Sequence, residues 1–143
     1  CFFIDMAAQK SAPTRNGGER TPATFDWTSK LTVKLDFSDL CEILAVLEGK
    51  QTHLGGKRNG LFHANGQTNT VISMEPTREK AGYRFGLSRK TGDGEAVRLS
   101  MLLTPAEAIG IRCILQTGLF FLLFHGTFLP GSATGQEPAC RAT

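Results

Sequence analysis

The chain has 143 residues, 41% of them hydrophobic and 20% charged, with 16 Lys and Arg against 13 Asp and Glu for a formal net charge of +3. That length accommodates one domain with tails and a real core, and the composition is that of an ordinary soluble globular protein. So small a charge excess excludes attraction of a polyanion by the whole surface; such a partner must meet a local basic patch.

Four cysteines, Cys1, Cys41, Cys113 and Cys140, have no close spacing. Nothing resembles a C-x-x-C metal or redox pair, and Cys41 and Cys113, inside predicted helices, read as small buried hydrophobes. The expected setting is reducing and intracellular, cytoplasm or nucleoid, with mitochondrion or plastid as the alternative. The apolar start CFFID is too short for a signal peptide and has no basic segment before it. Met6 followed by Ala7-Ala8 would be a natural start, leaving residues 1 to 5 as a remnant.

Residues 1 to 24 form the expected N-terminal arm. From Ala7 to Thr24 they are small, polar and broken by Pro13, Gly17, Gly18 and Pro22, which reads as disorder. Arg and Ser with few acids also fit a transit peptide, but no amphipathic helix is visible. Order is expected from Phe25-Asp26-Trp27. Leu31, Val33, Leu35 and Phe37 alternate with Thr32, Lys34 and Asp36, the period of a half-buried strand. Ser38 or Asp39 then caps a helix carrying Leu40, Ile43, Leu44 and Leu47, stopped by Gly49.

The loop from Lys50 to Gly60, KQTHLGGKRNG, superficially suggests a phosphate-binding loop. Gln51 stands where the Walker pattern needs Gly, Arg58 replaces Ser or Thr after Gly56-Lys57, and a helix precedes it, so nucleotide hydrolysis is rejected. Four strands follow: LFHAN with a turn at Asn65-Gly66, TVISME ending at Pro76, GYRFGLSRK before the turn TGDGE, and AVRLSMLL. Alternation points Tyr83, Phe85, Leu87, Val97, Leu99, Met101 and Leu103 to the core. It puts Arg84, Lys90 and Arg98 on a polar face with Gly86, Ser88 and Ser100.

Thr104, Pro105 and Glu107 read as a capping box opening a long helix. Its second half, Leu119 to Phe124, is apolar on every side, which one water-facing helix cannot accommodate. Ala106, Gly110, Cys113 and Thr117 form a stripe of small residues that suits close helix approach. It reads as an assembly helix, with Gly110, Gly118, Leu119, Phe120, Leu122, Leu123 and Phe124 at the oligomer interface; burial inside one chain is the plainer alternative. A membrane span is set aside: the uninterrupted apolar run is far shorter than a bilayer needs, and extending it draws in Gln116, Arg112 and Glu107. Residues 129 to 143 read as a disordered tail.

His53, His63 and His125 are isolated in the sequence, and no nucleophile, metal-ligand spacing or cofactor motif accompanies them. No enzyme, metal or cofactor is expected. Against that background, the order of elements and local wording carry a resemblance. It rests on Phe25-Asp26-Trp27-Thr28, on Leu61-Phe62-His63 with Asn65, and on Val71-Ile72-Ser73-Met74-Glu75-Pro76. It continues through Gly82-Tyr83 and through Thr104-Pro105-Ala106-Glu107, which opens a helix running through Leu122-Leu123 to His125 and Phe128. Residues 25 to 128 resemble the single-stranded nucleic-acid-binding domain of the Whirly family and the related mitochondrial guide-RNA-binding proteins.

The resemblance implies an α+β fold of two antiparallel sheets packed crosswise with two helices, a homotetramer built on the C-terminal helices, and sequence-tolerant binding of single strands along sheet edges. The family's lysine-glycine-lysine motif and the strands carrying it are absent from residues 1 to 24, so the first sheet is expected to be truncated or completed by a partner. The expected function is a non-catalytic single-stranded DNA-binding homo-oligomer. RNA binding by the same surface, and a structural adaptor with a protein partner, are the alternatives. The candidate contacts are Lys34, Lys57, Arg58, Arg84, Arg89, Lys90 and Arg98 for phosphates, with Tyr83 and Phe62, and Phe85 beside them, for stacking where exposed.

Overall fold

The computed structural model describes residues 2–77 and 81–124. Order begins at once. Strand β1 (Phe2–Ser11) alternates Phe2, Ile4 and Met6 inward with Phe3 and Asp5 outward. It pairs antiparallel with β4 (Thr24–Leu35), placing Phe2 opposite Leu35, Ile4 opposite Val33 and Met6 opposite Leu31. The register slips between Met6 and Ala8, where the partner moves from Leu31 to Asp26. Between these strands lies a second ribbon, β2 (Thr14–Asn16) with β3 (Glu19–Thr21). Gly17 (φ 56°) and Gly18 (φ 97°) turn it, both in the left-handed conformation that two-residue hairpins favour.

This corrects the disordered arm at residues 1 to 24 and the domain start at Phe25. The alternation of Phe2, Ile4 and Met6 supplies a core face, while the rest of the arm is exposed and so shows no apolar pattern in sequence. The first sheet is two-stranded, β1 with β4, and the β2–β3 ribbon is a separate sheet, so residues 1–24 supply strands where the missing motif had led none to be expected.

Helix α1 (Phe37–Leu47) follows β4 directly, and its cap is Asp36 rather than Ser38 or Asp39. Asp39 N–H donates to Asp36 Oδ1 and Asp36 N–H to Asp39 Oδ2, both at 2.9 Å, a reciprocal box that satisfies two otherwise orphaned donors. Leu40, Ile43, Leu44, Val46 and Leu47 bury its inner face. Cys41 is exposed, as is Cys113 further on, which corrects the reading of both as buried hydrophobes. The Lys50–Gly60 loop contains one 3-10 turn, Gly56–Arg58, and is pinned by fully buried Leu54.

Strands β5 (Leu61–Asn65), β6 (Thr68–Pro76), β7 (Tyr83–Thr91) and β8 (Val97–Leu103) form one antiparallel sheet in sequence order. Ile72, Met74, Phe85 and Leu87 face the core with Leu31, Val33, Leu35 and the α1 residues. Large apolar side chains buried this fully contribute roughly 1.5–3 kcal/mol each. Edge strand β8 departs from expectation: Leu103 is buried and Leu99 half-buried, but Val97 and Met101 are exposed because none of the described residues covers that end of the sheet.

Helix α2 (Pro105–Phe124) opens on the expected box. Thr104 N–H donates to Glu107 Oε2 at 2.7 Å, and Glu107 N–H returns to Thr104 Oγ1 at 3.3 Å. Ala108, Leu115 and Gly118 are buried, with Ile111, Leu119 and Leu122 packed beside them, and Gln116 Nε2 donates to Glu48 Oε1 at 3.2 Å. The helix thus seats on α1 and β8 by one stripe. Ile109, Ile114, Phe120, Phe121, Leu123 and Phe124 are exposed. With a mean hydropathy of 1.6, α2 is long and apolar enough to cross a bilayer by length and composition, a property that core and assembly helices share. The expected extension to His125 and Phe128 and the tail from 129 lie outside the described residues.

Candidate nucleic-acid interface

Antiparallel pairing converts the alternation of four strands into rows across the outward face of the β5–β8 sheet. One row runs Phe62, Val71, Ser88, Arg98; the next Ser73, Gly86, Ser100; the third Glu75, Arg84, Leu102. Lys90 stands opposite Asn69 on the same face. The expected grouping of Arg84, Lys90 and Arg98 is therefore real, and all three are exposed. Arg84 faces Glu75 in register without an ion pair between them.

The middle row is low because Gly86 has no side chain. A Cβ there would sit 2.8 Å from Ser73 Oγ, which leans over the strand toward the Gly86 carbonyl. The result is an open trough of about 260 Å³ bordered by Val71, Ser73, Ser88, Arg98 and Ser100. Phe62 lies at its β5 side, 62% exposed. Guanidinium groups flanking a shallow hydroxyl-lined floor, with an exposed ring at one side, can take phosphates and planar bases without reading base identity.

Other expected contacts are placed differently. Arg89 points inward: its Nε donates to Thr70 Oγ1 at 3.1 Å and its Nη2 to the Thr32 carbonyl, so it ties the two sheets together and is not available to phosphate. Tyr83 is half-buried and donates its hydroxyl to the Leu47 carbonyl at 3.3 Å, and Phe85 is buried, so neither is a stacking platform. Both follow from the inward parity of β7. Lys57 and Arg58 are exposed on the 3-10 turn, away from the trough rows. Lys34 is exposed on the outer side of the first sheet, opposite Phe3. At the C-terminal helix, Gly110 is open, whereas Gly118 is filled by the ring of Phe2 and serves the chain's own packing.

His63 is not isolated. Its Nε2 lies 3.2 Å from Oδ1 of the buried Asp39, joining β5 to the cap of α1. His53 Nδ1 meets Thr52 Oγ1 at 2.9 Å, and His125 lies outside the described residues. Among the described residues no cluster of His, Cys, Asp and Glu could hold a metal ion.

Sequence reasoning missed a group on the first sheet. Phe3, Phe25 and Trp27 are 63%, 44% and 58% exposed, and Arg15 stands opposite Arg20 in the β2–β3 ribbon. Asn16-Gly17-Gly18 between short β-compatible runs is the signal that could have found the ribbon. Close by, hydroxyl donors from Thr28 and then Ser29, with Lys10 at 3.3 Å, hold the Asp26 carboxyl down at about 2.

No family model matches the sequence, and no curated protein matches it. Solved structures do. The chain is similar to the Whirly protein WHY1 of Arabidopsis thaliana, at 16% identity and TM-score 0.62 over 90% of this chain and 89% of that one. It is equally similar to the plant transcriptional regulator PBF-2, at 16% identity and TM-score 0.62 over 93% and 91%. A guide-RNA-binding protein complex, solved bound to a guide RNA, follows at 18% identity and TM-score 0.51 over 85% and 74%. The chain has the α+β fold of the Whirly proteins, as the resemblance implied.

Proposed function

We propose that this chain is a Whirly-type, non-catalytic protein that binds single-stranded DNA with little regard to sequence and acts as a homotetramer in a reducing compartment of the cell. The observation that carries the reading is the outward face of the β5–β8 sheet, where exposed Arg84, Arg98 and Lys90 share one surface with Phe62 and the Gly86 trough. The fold it shares with WHY1 and PBF-2 supports it. Assembly is supported by α2, whose face away from α1 presents Ile109, Ile114, Phe120 and Leu123 to solvent, an apolar surface larger than single scattered residues.

RNA is the second reading, favoured by the likeness to the complex solved with a guide RNA. Fluorescence anisotropy with labelled single-stranded DNA, its duplex and RNA of the same sequence, at two salt concentrations, tests both. The expected result is preference for single strands, weakened by salt. Absence of single-strand binding at low salt overturns the proposal and leaves an adaptor oligomer.

A further inference from the structure

We propose that the arm formed by β1, the β2–β3 ribbon and the start of β4 is a second contact for single-stranded nucleic acid, with Trp27 and Phe25 receiving bases and Arg15 and Arg20 clamping phosphate. The inference rests on the nucleic-acid reading above but uses a different surface.

Two observations converge on it. Arg15 and Arg20 are direct cross-strand partners in a ladder of only three residue pairs, and both are exposed. Like charges placed opposite each other destabilise a ribbon, and this one buries no residue that would compensate. Neither guanidinium has a carboxylate within 4.0 Å among the described residues. Beside them, Pro13, Thr14 and Gly18 complete an open hollow of about 480 Å³. An anion seated there converts the repulsion into two charge-assisted contacts, and phosphate matches the planar donor fork of each arginine.

The aromatic pair lies next along the arm. Phe25 and Trp27 have ring centroids 6.3 Å apart and planes tilted by 51°, so they do not cover each other's faces, and both are exposed. The carboxylate between them in sequence, Asp26, is already engaged by Lys10 and Thr28. Arg20 and Phe25 are five residues apart, no more than about 17 Å of chain. A ligand serving both ends must be elongated and carry anionic groups and flat apolar rings in alternation. A single strand has that chemistry.

Trp27 is the only tryptophan in the chain, so its emission reports on this arm alone. The full chain is titrated with dye-labelled oligothymidylate and, separately, oligouridylate of equal length; anisotropy reads binding anywhere and tryptophan emission reads the arm. Quenching that saturates together with anisotropy is expected with either probe. Trp27→Ala should weaken binding by about 5- to 160-fold, the range for losing one stacked base. The double variant Arg15→Ser, Arg20→Ser should keep its circular dichroism spectrum and flatten the slope of log K against log[salt] by about 0.7 per arginine. Rising anisotropy with unchanged emission and an unaffected arginine double variant overturns the arm and leaves the sheet-face reading intact. No anisotropy change with either probe overturns both.

Discussion

The ring of Phe2 on β1 occupies the space that a side chain on Gly118 of α2 would fill. The first strand is therefore seated on the last helix, and the glycine belongs to that contact. Gly118→Val should force the two elements apart and lower stability by about 1–3 kcal/mol, the usual cost of overpacking. Removing residues 1–24 should be worse, because it uncovers Leu31, Val33 and Leu35 on β4. Thermal unfolding checks both; a truncated chain that melts like the full one refutes the packing account.

Substitutions on the two sides of α2 should separate assembly from folding. Leu123→Glu with Ile114→Glu changes exposed positions, so light scattering should show loss of the oligomer with the fold retained. Leu122→Glu puts a charge against the chain's own core and should destabilise the protomer, by several kcal/mol if the carboxylate stays unpaired. A wild-type chain that is monomeric at tens of micromolar removes the assembly role.

Arginines on opposite faces of the β5–β8 sheet should have opposite phenotypes. Arg84→Ala with Arg98→Ala should weaken single-strand binding and reduce the salt slope by about 0.7 for each phosphate no longer neutralised, with the melting temperature nearly unchanged. Arg89→Ala should instead cost about 1–3 kcal/mol of stability, since it leaves the Thr32 carbonyl without its donor. Equal affinity and slope in the Arg84, Arg98 variant would place the binding surface elsewhere.

The α2 cap predicts a pH dependence of defined sign. The Thr104 backbone N–H, and then its hydroxyl, lower the pKa of Glu107 from the usual carboxylate value. A depressed folded-state pKa contributes stability that is present above the unfolded value, about 4.3, and is lost as pH falls through the folded one. The melting temperature of Glu107→Ala should lie below wild type at pH 7, and the gap should narrow as pH falls below about 4. A gap that stays constant to pH 3 would show that the carboxylate's charge contributes nothing to the cap.

What the sequence determined by itself is local. Alternation placed β5 through β8 and sorted Arg84, Lys90 and Arg98 from Phe85 and Leu87, because the side-chain period of a strand is two whatever surrounds it. The Thr104–Glu107 box opened α2 because both partners lie within one turn. Tertiary structure alone decided where those faces went. Alternation assigned Arg89 no partner, yet packing of one sheet on the other delivers it the Thr32 carbonyl, 57 residues away. It left Met101 and Val97 facing a direction that no described element covers, gave Gly118 to Phe2, and ordered an arm whose exposed residues show no apolar period. Burial depends on which distant segment arrives at a surface, and that is a property of the whole chain.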